Sequence, residues 1–113
     1  MRSDEALLLD MLISSQKIEQ FVAEFTQEQF ELSELHQSAV VREFQIVGEA
    51  ARMISEQTKL AHPEIAWTLI SGMRNRIIHE YFRVDLDLLW SAIQEDIPEL
   101  IELLKPLVPP EKK

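Results

Sequence analysis

Residues 33–58, SELHQSAVVREFQIVGEAARMISEQT, have the pattern of one long amphipathic helix. Apolar residues recur in this stretch at intervals of three and four, which places them along one face of an α-helix. They are Val40, Val41, Phe44, Val47, Ala51 and Ile54. Ser33 precedes the pattern and belongs to a residue type favoured as a helix N-cap. The stretch therefore predicts a long helix that turns one face towards a core.

Three other segments of the chain share this periodicity. Ser3 opens a helix over about residues 4–25, Pro63 suits the start of a third helix, and Asp85 suits that of a fourth. Thr26 is placed to cap a short turn between the first two long helices. The chain has two glycines and no sustained alternation of polar and apolar residues, so strands are not expected. We expect an all-α fold, an antiparallel four-helix bundle with a short extra turn.

Two residues inside the helical patterns predict irregularities. Pro98 removes a backbone donor and crowds the preceding turn, so we expect a kink or a restart near Asp96. Gly48 lowers helix propensity by about 1 kcal/mol relative to alanine, and it stands beside Ala50 and Ala51. Such a group of small residues indicates a packing notch for another helix, either within the monomer or from a second subunit.

The composition is that of one acidic domain without cysteine. A chain of 113 residues suits a single domain over residues 1–113, with residues 108–113 as a flexible tail. The lack of cysteine excludes a disulfide framework and thiolate metal sites. The N-terminus is acidic where a signal peptide would be basic, and no apolar run has the length of a membrane span. We therefore expect a cytoplasmic protein with no membrane partner.

A basic motif towards the end of the predicted third helix runs against the formal net charge of −9. Residues 74–83, RNRIIHEYFR, hold three of the six arginines together with His79 and Tyr81. A guanidinium forms a two-donor fork for phosphate, and an imidazole titrates near neutrality. These groups suit phosphodiester cleavage. Because the rest of the chain is acidic, any contact with RNA must be local to the motif.

The spacing of the motif restricts how its residues can meet. At about 100° per residue, Arg74 and His79 point about 140° apart on an α-helix, whereas Asn75 and His79 share a face. Arg74 and His79 therefore cannot meet on one regular helix. Either the helix unwinds after Ile78, or two copies of the motif meet across a symmetric interface. Both alternatives favour a cleft at a helix end or at a dimer seam.

The motif and its flanks resemble the HEPN superfamily, and within it the HepT-like (DUF86) type. Arg74, four intervening residues, His79, one residue and Tyr81 match the pattern Arg-x4-His-x-Tyr of that superfamily. Further segments resemble the helices of the family, so that the resemblance covers nearly the whole chain. They are residues 10–21, 46–51, 84–87 and 96–100.

This resemblance implies a dimeric, metal-independent endoribonuclease toxin without a cofactor, paired with a minimal nucleotidyltransferase antitoxin. Arg74 would bind the scissile phosphate and stabilise the charge that grows in the transition state. His79 would act as general base on the ribose 2′-hydroxyl or as general acid to the leaving oxygen. Asn75 could orient the phosphate or the imidazole, and Arg76 or Arg83 could hold flanking phosphates.

Tyr81 suits two roles in such a site. Its ring and hydroxyl could stack or hydrogen-bond in the cleft, and the resemblance implies that the antitoxin transfers AMP to this hydroxyl. Adenylylation would place negative charge and bulk where RNA phosphate must lie. A third interpretation is structural, since Tyr81 shares the face of Ile70, Met73 and Ile77 on an ideal helix.

Other interpretations of the same residues are structural. An arginine or a protonated histidine near a helix C-terminus is favourable through the macrodipole alone. His36 and His62 have no partner at ligand spacing and suit the surface, while Trp67 and Trp90 suit a core or an interface. The alternative function is a non-catalytic HEPN module that binds a nucleotide or docks a nucleotidyltransferase, which the acidity of the chain favours.

Overall fold

Eight α-helices make up most of residues 2–78 and 83–109, the parts of the chain that the structure, a computed structural model, describes. Their bounds are α1 (Asp4–Phe21), α2 (Gln27–Glu31), α3 (Glu34–Met53), α4 (Glu56–Ala61), α5 (Trp67–Ser71), α6 (Met73–Ile77), α7 (Leu86–Ser91) and α8 (Ile97–Leu104). A π-helical turn (Ala92–Asp96) joins α7 to α8, and a 3-10 turn (Lys105–Leu107) follows α8. The all-α prediction is confirmed.

Side-chain caps begin most of these helices where the sequence predicted them. Ser3 accepts a hydrogen bond from the Ala6 amide at 3.2 Å, and Ser33 accepts one from the His36 amide at 3.3 Å. The carboxylate of Asp85 accepts from the Leu88 amide at 3.0 Å. Each cap satisfies an amide that has no partner within the helix, which stabilises the helix by about 1 kcal/mol.

The short turn after Thr26 is the predicted extra element. Thr26 and Gln29 form a reciprocal capping box, in which each side chain accepts a hydrogen bond from the amide of the other residue. Phe30 in this turn is fully buried, and its ring centroid lies 5.5 Å from that of Trp90. The turn α2 therefore covers one end of the core.

Hydrogen bonds between distant residues establish that α1 and α3 run antiparallel. The Asp4 carboxylate, at the start of α1, accepts from the Ser55 amide at 3.1 Å, from Ser55 Oγ at 2.6 Å and from Thr58 Oγ1 at 2.5 Å, just beyond the end of α3. The hydrogen bonds from Ser55 and then Thr58 lower the pKa of Asp4. The charged acceptor thus ties the first residue of α1 to the chain that follows α3.

The remaining helices complete the four-helix arrangement. Lys105 and Val108, after the end of α8, line a surface groove with Ser3 and Ala6, so α8 also runs antiparallel to α1. The third member, α5 and α6, packs against α3, where Gly48 lies against Ile70 and Ser71, and α6 also contacts α7. The bundle is antiparallel as predicted, although its third and fourth members are interrupted.

The predicted helix ends needed correction at two places. The first helix ends at Phe21 rather than near residue 25, and the second ends at Met53 rather than near Thr58. Ile54 is extended, and Ser55 caps the separate helix α4 by accepting from the Thr58 amide at 3.2 Å. A serine that caps a new helix competes with continuation of the old one, because its hydroxyl satisfies the amides that the longer helix would have used.

The predicted start of the third helix was also wrong. Pro63 lies in a turn, and α5 begins only at Trp67. The indole Nε1 of Trp67 donates to the His62 carbonyl at 3.0 Å, and the Ile65 amide donates to the same carbonyl at 3.2 Å. These bonds hold the turn and bury Trp67, as its predicted core role requires. Gly72 then divides the third helix into α5 and α6.

The irregularity expected near Asp96 is confirmed. The helix changes to a π-helical turn over Ala92–Asp96, and α8 starts at Ile97 with Pro98 in its first turn. At this position proline loses little, since amides of the first turn have no intrahelical acceptor. The interruption keeps Ile93 and Ile97 buried on one side of the bundle.

At Gly48, helices α3 and α5 of the same monomer approach each other closely. The packing notch predicted around Gly48 is therefore filled by a helix of the same chain. A Cβ built on Gly48 would lie 3.4 Å from the carbonyl oxygens of Ile70 and Ser71. A methyl group therefore fits at van der Waals contact, whereas a longer side chain meets rigid backbone.

This contact predicts opposite effects for two substitutions. Gly48→Ala should keep or raise stability, by up to about 1 kcal/mol, because it gains helix propensity. Gly48→Leu should lower stability by about 1–3 kcal/mol, because α5 must move away. Urea unfolding followed by circular dichroism measures both. Arg42→Leu, an exposed substitution on the same helix, serves as control, and a Gly48→Leu variant as stable as this control would contradict the packing argument.

Candidate active site

The short helix α6 positions the first residues of the predicted motif. Its buried residues, Met73 and Ile77, fix one face of α6 against the core. Arg74 follows Met73 directly and is half-buried, while Asn75 is exposed. A five-residue helix anchored by two buried side chains holds Arg74 at a defined place on the surface of the bundle.

Arg74 and Asn75 line a groove between α3 and the α5–α6 pair. The groove has a volume of about 530 Å³. Its walls are Gln45, Gly48, Glu49 and Arg52 from α3, and Thr68, Ser71, Gly72, Arg74 and Asn75 from the opposite side. Most of these residues are polar, which distinguishes the groove from the core beneath it. We call this surface the α3–α5 groove.

The guanidinium of Arg74 has a buried donor that no described residue uses. Its Nε is buried and has no hydrogen-bond partner among the described residues. Its Nη1 approaches Asn75 Oδ1 at 3.5 Å, which is at the limit of a hydrogen bond, and no described carboxylate forms an ion pair with it. A buried donor without a partner costs about 1–3 kcal/mol. Arg74 is therefore a cation of the groove that no described carboxylate neutralises.

The other two arginines of the motif lie apart from this groove. Arg76 Nη2 donates to the Leu69 carbonyl at 3.3 Å, so the side chain reaches back along α5. The pKa of Asp96 is raised, first by burial and then by Glu95, while the charge of Arg76 acts to lower it. Arg83 is exposed and follows the segment that lies outside the described residues. That Arg76 or Arg83 holds flanking phosphates stays a prediction.

The helix carrying Arg74 ends before His79. Ile78 is extended, and it forms an isolated antiparallel bridge with Val84. The Asp85 amide donates to the Ile77 carbonyl at 2.8 Å beside this bridge. The first of the two predicted alternatives was that the helix unwinds after Ile78. The extended conformation of Ile78 agrees with that alternative.

Residues 79–82, which include His79 and Tyr81, lie outside the described part of the chain. Their predicted roles in catalysis and modification are therefore not tested by the geometry. The bridge does place the two attachment points of this segment beside each other, at the end of the bundle where α6 ends.

The two remaining histidines are more enclosed than expected. His36 Nδ1 lies 2.6 Å from Ser33 Oγ, and its ring packs on Phe25 with centroids 4.4 Å apart. His62 Nδ1 lies 3.3 Å from a carboxylate oxygen of Glu64. Both imidazoles are half-buried, and both have structural partners. Neither lines the α3–α5 groove.

Several residues of the groove were not predicted as site residues. Gln45, Glu49 and Arg52 stand on α3 at intervals of four and three, so they share one face of that helix. This polar stripe was visible in the sequence. No pattern in the sequence indicated that Thr68 would lie opposite this stripe, because that placement depends on the break at Gly72 and on the approach at Gly48.

Within the described ranges, no group of three or more histidine, aspartate or glutamate side chains is arranged to hold a metal ion. None of the helices in that same part of the chain is long and apolar enough to cross a membrane.

An all-α bundle that carries Arg-x4-His-x-Tyr at the end of its third member has the fold and the motif of a HEPN domain. The chain matches the family described as ribonuclease HepT-like over residues 11–107. It belongs to the HepT-like ribonuclease family.

Curated relatives carry names that agree with this family. A probable ribonuclease HepT of Thermococcus cleftensis is 40% identical over 99 residues, which cover 88% of this chain and 90% of the relative. A protein of Methanocaldococcus jannaschii, provisionally named as an RNase, is 33% identical over 99 residues, with 88% and 91% covered. A protein of Caldanaerobacter subterraneus named in the same way is 38% identical over 74 residues, 66% of each chain. No solved structure gives a significant match.

Proposed function

We propose that this protein is a metal-independent endoribonuclease toxin that cleaves RNA with Arg74 and His79. Family membership and the names of its relatives support ribonuclease chemistry. The observation that carries the proposal is that Arg74 is half-buried and lines an open groove, with no described carboxylate paired to its guanidinium donors. A phosphodiester supplies the anion that such a donor lacks.

The proposed reaction needs no group beyond these side chains and the RNA. The ribose 2′-oxygen attacks the adjacent phosphorus, its proton passes to a general base, and the 5′-oxygen leaves with a proton from a general acid. His79 supplies proton transfer, since an imidazole titrates near neutrality. Arg74 stabilises the charge that accumulates on the non-bridging oxygens. Two histidines from two subunits would fill both proton-transfer roles.

A two-fold homodimer is the proposed assembly. Arg74 lies on a short helix that ends at Ile77, and a second copy of the motif would complete a cleft beside it. In such a dimer Asn75, which lines the groove with Arg74, would orient the phosphate or the imidazole.

The proposed partner is a minimal nucleotidyltransferase antitoxin that adenylylates Tyr81. A phenol two residues after His79 is a chemically competent acceptor for AMP. The added phosphate would repel the RNA backbone and occupy the cleft. Toxicity would then be controlled by covalent modification of the site.

Loss of either proposed catalytic group should abolish cleavage. Arg74→Ala and His79→Ala should each reduce the rate about a hundredfold or more, through loss of charge stabilisation and of proton transfer. A chelator should leave the parent rate unchanged. Gel analysis of RNA digested by nuclease-free preparations measures these rates.

Stability measurements separate this result from unfolding. Arg74→Ala removes a buried donor that no described residue uses, so the free energy of unfolding from urea titration should not fall by more than about 0.5 kcal/mol. Cleavage that survives both substitutions would reject the mechanism. Binding of RNA with no cleavage by the parent would favour the non-catalytic HEPN module.

The same two variants test whether the site is shared between subunits. If each cleavage needs His79 from both subunits, a mixed dimer of Arg74→Ala and His79→Ala subunits should be inactive. If Arg74 of one subunit acts with the single His79 of the other, the mixed dimer has one intact site. Random co-assembly should then restore roughly a quarter of the parent activity. Light scattering should show a dimer at micromolar concentration. A fully active monomer would refute the proposed assembly.

Modification of Tyr81 is tested with the proposed cognate nucleotidyltransferase. Incubation with this enzyme and ATP should add one or more AMP units to Tyr81 and stop RNA cleavage, whereas Tyr81→Phe should escape modification because it lacks the acceptor oxygen. Mass spectrometry locates the AMP. If Tyr81→Phe is neutralised as fully as the parent, control acts through binding alone and Tyr81 returns to a packing role.

A further inference from the structure

The α3–α5 groove extends away from Arg74 towards a second guanidinium. Arg52, in the last turn of α3, lines the same groove as Arg74. Both residues belong to a chain with a formal net charge of −9, and Gln45 and Thr68 line the same groove. Two cations in one polar groove offer contacts for two phosphates of a nucleic acid strand.

Arg52 is held in place by a weak and reversible contact. Its Nη2 lies 2.5 Å from Glu49 Oε1, one turn earlier on α3. The side chains of Arg52 and Glu49 are 61% and 55% exposed, so this ion pair contributes little stability. A phosphate that enters the groove can therefore take over the guanidinium at small cost. The negative charge of Glu49, which also lines the groove, repels any anion that binds there.

Both glycines of the chain line this groove. Gly48 allows α3 to approach the carbonyls of Ile70 and Ser71, and Gly72 stands where α5 gives way to α6. With no side chains at these two positions, the groove stays open between Arg52 and Arg74. Its volume of about 530 Å³ lies within the range of small-molecule sites.

We propose that the α3–α5 groove binds the nucleotide next to the scissile phosphate of the RNA, with Arg52 holding the neighbouring phosphate. The inference rests on the proposed ribonuclease function. Gln45 and Thr68 then lie beside the base or the ribose, where an amide and a hydroxyl offer both donors and acceptors. Arg52 acts as a binding residue, and Glu49 limits the affinity of the groove for other polyanions.

Two substitutions at the ion pair separate phosphate binding from a structural role. In a His79→Ala background, which prevents cleavage, Arg52→Ala should weaken binding of a short single-stranded RNA about three- to tenfold. The slope of log affinity against log salt should fall by about 0.7, as expected for one lost phosphate contact. Glu49→Gln should instead tighten binding about two- to threefold, because it removes a repelling charge. Fluorescence anisotropy measures all three quantities.

The opposite signs of these effects are the decisive result. A purely structural ion pair would be broken equally by both substitutions, so equal losses of affinity would overturn the proposal. Arg42→Ala, an exposed arginine on the same helix that does not line the groove, is the matched control. Thermal melts of each variant should agree with the parent. If Arg42→Ala weakens RNA binding as much as Arg52→Ala does, the proposal is also overturned, because loss of any positive charge on α3 would then explain the weaker binding.

Cleavage by the parent distinguishes failure of this inference from failure of the proposed function. A parent that cleaves RNA while Arg52→Ala binds and cleaves as the parent does would refute the groove alone. A parent that does not cleave RNA refutes the function on which the groove depends. Thr68→Trp, which fills the groove from the other wall, should reduce RNA binding as Arg52→Ala does. Unchanged binding by Thr68→Trp would place the RNA elsewhere.

Discussion

The contact of Gly48 with the backbone of α5 is the constraint on which the candidate site depends. A Cβ atom built on Gly48, in the middle of α3, would lie 3.4 Å from the carbonyl oxygens of Ile70 and Ser71 in α5. The approach fixes α5 beside α3 and so sets where Gly72 ends α5. Because α6 starts immediately after that break, the position of Arg74 follows from it. A side chain longer than a methyl group at position 48 would displace α5 and with it the site.

Charge in this protein is organised locally. The acidic residues give a formal net charge of −9, which weakens association with any polyanion over most of the surface. Arg74 and Arg52 lie in one groove, and the former has no described carboxylate partner. A nuclease arranged in this way gains little from non-specific attraction. In the proposed function, affinity for RNA would come from a few directed contacts, so selection among RNAs would be sensitive to the residues of the groove.

The sequence predicted those features that depend on neighbouring residues. Ser3, Ser33 and Asp85 cap helices because a side chain needs to reach only two or three residues along the chain. The ends of helices were harder to predict. Helix α3 stops at Met53 because Ser55 caps α4 and bonds to Asp4, which is 51 residues away in the sequence. A hydrogen bond between residues so far apart in the sequence leaves no pattern in the residues next to Ser55 from which it could be predicted. The polar stripe of α3 was visible, but its facing wall was not.

The end of α6 connects the candidate site to the core. Ile77 is buried, its carbonyl accepts from the Asp85 amide, and Ile78 pairs with Val84. Asp85 also caps α7, whose Leu89 is fully buried. Both attachment points of residues 79–83 are therefore held by hydrogen bonds to elements that the core fixes. Motion of Ile78 or Val84 would require breaking that packing, so these two residues keep a constant position relative to Arg74. The proposed adenylylation of Tyr81 would therefore act between two fixed attachment points and would not need a rearrangement of the bundle.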